Sequence, residues 1–151
     1  MRMMTSTPSS KTCPCGSGKV YSECCELYHD GLQIPATAEL LMRSRFTAYA
    51  LRNADYLLLS WDESKRPDAI NFSEETAEWQ RLQIISSKKG SAKDSKGRVE
   101  FKAFYCQDGE DCFMHEISRF VKIGGHWRYL DGVIKAAGKV EGQRIPGKKF
   151  T

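Results

Sequence analysis

The chain has 151 residues, 40% of them hydrophobic, and a formal net charge of +4. That is material for one ordinary domain plus a small module, and the mild charge excludes a polyanion binder driven by overall charge. No apolar run approaches the ~20 residues a membrane helix needs; the longest lies around Tyr56–Leu59. Residues 1–11 are rich in Ser and Thr and hold no apolar segment of a secretory leader, so they read as a loose tail and the cytoplasm as the expected location.

Four of the six cysteines fall between Cys13 and Cys25, as the pair Cys13-Pro14-Cys15 and the adjacent pair Cys24-Cys25. Thiolate sulfur suits Zn²⁺, which takes four ligands at tetrahedral corners, and two close pairs joined by a short turn can surround one ion. Pro14 stiffens the first pair, and Gly16 and Gly18 permit positive φ where the backbone folds over the metal. Their N–H groups are expected to donate to the sulfurs. Two disulfides fit less well, because adjacent cysteines are awkward to bridge. Cys25 is favoured as fourth ligand beside Cys13, Cys15 and Cys24, with His29 as the alternative. Four thiolates on Zn²⁺ contribute −2, which lowers the net charge to about +2. They also fill the coordination shell, so the expected role is architecture and display, with Lys19, Tyr21, Leu27 and Tyr28 as the presented surface. Gly16-Ser17-Gly18-Lys19 lacks the spacing of a phosphate loop.

Gly31 to Pro35 reads as a linker. Thr37 is a helix N-cap, and Leu40, Leu41, Ser44, Ala48 and Leu51 recur at helical spacing, which predicts a helix over Ala38–Arg52. Asn53 ends it, and a second short helix is expected over Ala54–Trp61. Ser73 and the acids after it predict a third over Ser73–Trp79. From Arg81 the pattern turns to strands: Arg81–Ser87, Arg98–Cys106, Cys112–Ile123 and His126–Asp131, with hairpin turns at Gln107–Asp111 and Gly124-Gly125. Helices first and antiparallel strands afterwards give an α+β plan.

In the third strand Phe113, His115, Ile117, Arg119, Val121 and Ile123 share one face, taken as core-facing; Met114 and Phe120 fall on the other, where an exposed outer face suggests a homodimer. A concave pocket is expected from Tyr49, Tyr105, His115, Arg119 and Asp131. Its alternative is structural, with Arg119 paired to Asp55 or Asp131. Cys106 and Cys112 flank a hairpin loop; they read either as a redox pair or as two reduced thiols, and the latter is favoured. Lys88, Lys89, Lys93, Lys96 and Arg98 crowd one stretch, and Lys135, Lys139, Arg144, Lys148 and Lys149 the basic tail of residues 135–151. RNA contact competes there with plain solvation, since neither stretch interleaves aromatics for base stacking.

The run from Cys13 to Cys25, with its glycines, Lys19 and Tyr21 in place, resembles the SEC-C motif, the small zinc module at the carboxyl end of the SecA translocation ATPase and in many other bacterial proteins. Leu41-Met42-Arg43-Ser44-Arg45-Phe46, Asp55-Tyr56-Leu57, Ser60-Trp61, Ser118-Arg119-Phe120 and Trp127-x-Tyr129-x-Asp131-Gly132 resemble the YchJ family of uncharacterised bacterial proteins. The resemblance implies a zinc module over residues 12–30 and, over residues 36–134, a nuclear-transport-factor-like (cystatin-like) cone, with helices packed in the mouth of a curved antiparallel sheet. Many relatives carry a second SEC-C motif at the carboxyl end, whereas Val133 to Thr151 contains no cysteine. The resemblance also implies contact with protein partners, such as a secretion chaperone or the ribosome. The expected function is therefore a zinc-binding interaction or adaptor protein whose cone holds a small ligand or peptide. An enzyme of isomerase, dehydratase or hydrolase type is the competing class. No carboxylate dyad, nucleophile–base pair or cofactor loop demands it.

Overall fold

A computed structural model describes residues 11–73 and 75–140. The amino-terminal module is held by backbone bonds over a few residues. Thr12 and Val20 form an isolated antiparallel bridge, and the Cys13 N–H donates to Lys19 O at 2.8 Å. Gly16 and Gly18 take φ of +84° and +89°, the left-handed region that lets the chain reverse between the first two cysteines and Val20. A single 3-10 turn, Tyr21–Glu23, leads into α1, Cys25–His29.

Thr37 caps α2, Ala38–Leu51, its hydroxyl accepting from the Leu40 N–H at 3.1 Å. The helix stops one residue before its expected end, because Arg52 turns left-handed at φ +60°. Asn53 then caps α3, Ala54–Leu59, accepting from the Tyr56 N–H. Residues 60–62 run on as an edge segment: Trp61 bridges Tyr129 in parallel, the Tyr129 N–H donates to Ser60 O and the Asp62 N–H to Tyr129 O. The expected helix over Ser73–Trp79 is absent among the described residues. Local bonds claim the backbone instead. Asn71 Oδ1 accepts from the Ser73 N–H, Glu75 Oε1 from the Ala77 N–H, and the Arg52 guanidinium takes the carbonyls of Glu75 and Ala77.

Four antiparallel strands follow as a meander in the order β1 (Glu78–Lys89), β2 (Lys96–Gln107), β3 (Glu110–Ile123) and β4 (His126–Lys139). The sheet is open. β1 and β4 are longer than expected: β1 begins at Glu78 and β4 runs past Asp131 to Lys139. Register shifts at residues 80 and 85 of β1 and at residues 130 and 135 of β4 bend both edge strands. Asp108-Gly109 and Gly124-Gly125 close two-residue hairpins with positive φ at both positions.

α2 crosses the concave face of the sheet, against β1, β2 and β4. Ala38, Leu41, Met42 and Phe46 meet Leu82, Val99, Phe101, Ala103, Phe120 and Trp127 in the core. Trp127 also ties down the linker, donating from Nε1 to Ala36 O at 3.2 Å. The expected facing of β3 is reversed. Its partner β2 buries Val99, Phe101 and Ala103, and the register sets Ser118, Glu116 and Met114 opposite these. Met114, Glu116, Ser118 and Phe120 therefore face the helices, and Phe113, His115, Ile117, Arg119 and Val121 face away. The outer-face argument for a homodimer, which placed Met114 and Phe120 outside, falls with it. No helix among the described residues is long and apolar enough to cross a membrane.

Candidate metal centre and ligand pocket

The module brings Cys13, Cys15, Cys24 and Cys25 together so that their four sulfurs lie within 4.8 Å of one another. Cys13, Cys15 and Cys25 are buried, Cys24 is half-buried, and no disulfide links them. The Sγ atoms of Cys15 and Cys24 are 3.6 Å apart, those of Cys24 and Cys25 4.0 Å. At a zinc–sulfur bond of about 2.3 Å, the edge of a regular tetrahedron is ~3.8 Å. The spacing therefore suits one tetrahedral ion and is far too long for a disulfide's bond of about 2 Å.

The electrostatics point the same way. Crowded as thiols, the sulfurs concentrate charge on one of them: hydrogen bonds from Cys15 and then Cys25 hold the Cys13 thiol far below its usual value. The bond with Cys13 pushes both Cys15 and Cys25 up. Four thiolates at this separation call for a cation. Hydroxyls attend the sulfurs, Ser17 Oγ at 3.1 Å from Cys24 Sγ and Thr47 Oγ1 at 3.5 Å from Cys13 Sγ. The expected glycine donor is otherwise engaged: the Gly16 N–H goes to the Cys13 carbonyl.

His29 stands apart from the sulfurs. Its Nε2 donates to Ser44 O at 2.9 Å, which makes Nδ1 the acceptor of the neutral ring, and Nδ1 receives the Tyr21 hydroxyl at 2.9 Å. It bolts the module to α2. The Arg43 guanidinium helps by donating to Cys15 O, and Cys25 Sγ lies 3.6 Å from Arg43 O. Of the residues expected to face a partner, Lys19 is exposed, Tyr21 is held by His29, and Tyr28 packs on the Ala48–Tyr56–Leu57 cluster.

A second site lies between α2 and the concave sheet face, a cavity of about 250 Å³. Met42, Phe46, Phe101, Ala103 and Met114 make it apolar; Arg45, Tyr49, Glu116, Ser118 and Tyr129 bring polar groups to its wall. Arg45 is 2% exposed. It donates to Leu57 O at 2.8 Å and Ser60 Oγ at 2.7 Å, and lies over the rings of Trp61 and Tyr129 at 5.0 and 4.5 Å. Among the described residues it pairs with no carboxylate, and burial pushes its pKa down. Glu116 Oε2 accepts from Ser118 Oγ at 2.9 Å and from the Tyr129 hydroxyl at 3.4 Å. Burial keeps that hydroxyl protonated. Trp79 also lines the cavity, and its buried Nε1–H has no acceptor among the described residues.

Of the five residues expected in a pocket, Tyr49 alone lines this one. Tyr105 lies outside it, tilted against Trp79 with ring centroids 4.6 Å apart. His115 points to the outer face and bonds Glu100 at 2.7 Å, and Arg119 grips Asp131 there through two bonds of 2.7 and 2.6 Å. The structural alternative for Arg119 is thus the one observed, with Asp131 as partner. Cys106 and Cys112 sit opposite Asp111 and Tyr105 on alternate faces, so they do not meet as a redox pair. Arg45, Glu116, Ser118 and Tyr129 were missed. A signal for Arg45 existed, since it shares the helical stripe of Leu41, Met42, Phe46 and Tyr49.

A four-cysteine module fastened to helices on an open, curved sheet defines a class: a SEC-C motif joined to a nuclear-transport-factor-like domain. The family model described as "SEC-C motif" matches residues 10–27, and that described as "YchJ, middle NTF2-like domain" matches residues 37–132. The chain belongs to the YchJ family, whose relatives carry the name UPF0225. It is 44% identical to the UPF0225 protein of Serratia proteamaculans over 84% of this chain and 86% of that one. It is 44% identical to that of Corynebacterium efficiens over 80% and 91%. A solution structure of a SEC-C motif containing protein from Rhodopseudomonas palustris superposes with a TM-score of 0.71 at 35% identity, over 80% of this chain and 96% of that one.

Proposed function

We propose that this protein is a zinc-clasped binder of a small amphipathic ligand. In this reading Zn²⁺ on Cys13, Cys15, Cys24 and Cys25 fastens the module to α2, and the cavity behind α2 takes the ligand. The observation that carries the binding role is the cavity of about 250 Å³ with Arg45 in its wall and no carboxylate partner for it among the described residues. A buried, unpaired guanidinium is costly unless something meets its charge. A carboxylate or carbonyl oxygen toward Arg45 and Trp79 Nε1, an apolar body against Phe46, Phe101 and Met114, and a donor for Glu116 would satisfy every wall. Four sulfurs complete a zinc shell, so the metal's part is to hold the chain.

Native mass spectrometry checks the clasp: one zinc per chain is expected, lost in the double variant Cys13→Ser/Cys24→Ser. For the pocket the probe is cinnamate, an apolar body with one carboxylate. It should raise Tm with its concentration in the wild type and not in Ala103→Trp, which fills the cavity. A chain that folds without metal, or equal shifts in both proteins, would sink the respective half.

Protein contact through the module, an adaptor role, is the second reading. Leu32 and Ile34, just after α1, are 72% and 55% exposed and offer a partner two apolar side chains beside the module. Co-sedimentation with ribosomes and capture on a purified secretion chaperone should both fail to respond to Leu32→Asp/Ile34→Asp if this reading is wrong.

A further inference from the structure

The face of the sheet turned away from the helices carries a pattern the linear sequence hides. Across β1, β2 and β3 one row reads Lys88, Arg98, Arg119. Two rows along, Gln83 and Lys102 stand beside His115, and the next row reads Arg81, Phe104, Phe113. The two phenylalanines are direct cross-strand neighbours. The Arg81 guanidinium rests on the Phe104 ring at 3.9 Å, and Lys102 Nζ lies 5.7 Å from the centre of Phe113. At the opposite end Lys88, Lys89, Lys96, Arg98 and Arg119 line a cleft of about 380 Å³.

The charge balance is one-sided. Between these rows stand Arg81, Lys88, Arg98, Lys102 and Arg119 against Glu100 and Asp131, and both carboxylates are engaged, by His115 and Arg119. Among the described residues Arg81, Lys88, Arg98 and Lys102 form no ion pair. One row past the phenylalanines, Glu78 and Asp111 turn the surface acidic and end the patch.

We propose that this outer sheet face binds single-stranded RNA, about four nucleotides long, with phosphates in the basic cleft and bases stacked on Phe104 and Phe113. From Arg98 to Phe104 is six residues of strand, about 20 Å, enough for a short run of nucleotides. Arg81 on Phe104 adds a planar cation to the stack. Gln83 stands between the two ends and supplies hydrogen bonds for a 2′-hydroxyl, beside Ser86, whose hydroxyl donates to Glu100 at 3.5 Å. A second copy of the chain fits the face poorly, since two such positive patches would repel. An acidic peptide meets the cations but leaves the paired rings without a planar partner. The basic stretch looked bare of aromatics in the sequence; β2 and β3 bring two of them onto the same face, three rows away.

The test is fluorescence anisotropy of a labelled short oligouridylate with the full chain. With about four phosphates neutralised, a single strand gives a log–log salt slope near −3, so affinity should fall roughly 50-fold from about 50 to 200 mM salt. Lys88→Glu/Arg98→Glu, both exposed, should flatten that slope and abolish most binding. Phe113→Ala should weaken binding roughly tenfold and leave the slope unchanged, as loss of stacking without loss of charge. If Phe113→Ala unfolds by circular dichroism, Phe113→Leu replaces it with the same expectation. No binding at low salt, binding that survives the charge reversal, or a slope change in the phenylalanine variant overturns the proposal. Equal binding of oligodeoxythymidylate overturns the assignment to RNA. Equal competition by polyglutamate reassigns the face to an acidic protein, and a wild-type dimer in sedimentation that the charge reversal alters reassigns it to a second copy.

Discussion

Arg45→Met separates a guanidinium kept for a ligand from one kept for the fold. The change removes two hydrogen bonds from a charged donor, to Leu57 O and Ser60 Oγ, at about 1.5–3 kcal/mol each. It also removes ring contacts with Trp61 and Tyr129, at roughly 1 kcal/mol each. Against this, a buried ion carries an effective desolvation cost of several kcal/mol, which methionine does not. Ser60 Oγ keeps a partner in the Tyr56 carbonyl, to which it donates at 2.7 Å. The two sides nearly cancel, and methionine fills most of the volume. Stability measured by urea unfolding should change by no more than about 2 kcal/mol, or about 4–8 °C in Tm for a chain of this length. Cinnamate affinity should fall tenfold or more, as a charge-assisted contact is lost. A loss above about 4 kcal/mol with binding intact would refute the reasoning and make Arg45 a structural strut.

Gly132 lies under the Glu116 carboxylate, which a Cβ there would displace; Gly132→Ala should cost about 1 kcal/mol or less in stability yet weaken the ligand response, seen by the same titration. Gly97→Ala should instead be severe, because the new Cβ would stand 2.6 Å from the Gly90 Cα, backbone against backbone; a loss of about 3 kcal/mol or no soluble protein is expected from urea unfolding. Burial holds His29 below its ordinary value, against the raising pull of the Ser44 carbonyl. The unfolded chain then takes up a proton from about pH 6.5 downward that the folded one refuses, so stability falls on acidification below that point and is unaffected above it. The drop in Tm between about pH 7.5 and 5.5 should therefore be smaller in His29→Gln than in the wild type, acid effects on the cysteines being common to both.

What the sequence reveals here is what its neighbours along the chain decide. The Thr37 cap, the Gly124-Gly125 turn and the alternation of Val99, Phe101 and Ala103 are settled within a few residues, and all appear as expected. The four cysteines converge because the whole cluster closes over thirteen residues. The facing of β3 is different in kind. The row richer in apolar residues, Phe113, Ile117, Val121 and Ile123, is the one that faces out, because the register with β2 decides, a pairing between Val99 and Ser118 that no local pattern displays. His115 and Arg119 followed that row outward, with Asp131 opposite Arg119, while Tyr105 stays on the inner face of β2 beside Trp79, beyond the pocket. The helix over Ser73–Trp79 failed partly for a distant reason, since Arg52 takes the carbonyls of Glu75 and Ala77 besides the local Asn71 and Glu75 bonds. β4 outran its expected end because bulged positions break the two-residue alternation beyond Asp131.

The two candidate sites are coupled by one helix. Successive residues of α2 step round by about 100°, which sends Arg43, Ser44 and Thr47 to one side and Met42, Arg45, Phe46 and Tyr49 to the other. The first side meets the module through the Thr47 hydroxyl, the Ser44 carbonyl and the Arg43 guanidinium, and Tyr28 of the module packs on Ala48. The polar contacts drive little burial, so apolar area supplies only part of the module's grip on α2. The second side leaves a cleft of about 250 Å³ against the sheet; were it closed and dry, at ~24 cal/mol per Å³ it would cost at most about 6 kcal/mol. That is the scale of a whole domain's stability. A fold that keeps such a space open, with an ion in its wall, needs compensation that does not come from the core. A metal ion held by the four cysteines would supply it without filling the pocket, as structural zinc does in small domains that bury too little. In the proposed reading, the clasp and the cavity answer the same physical constraint from opposite sides of α2.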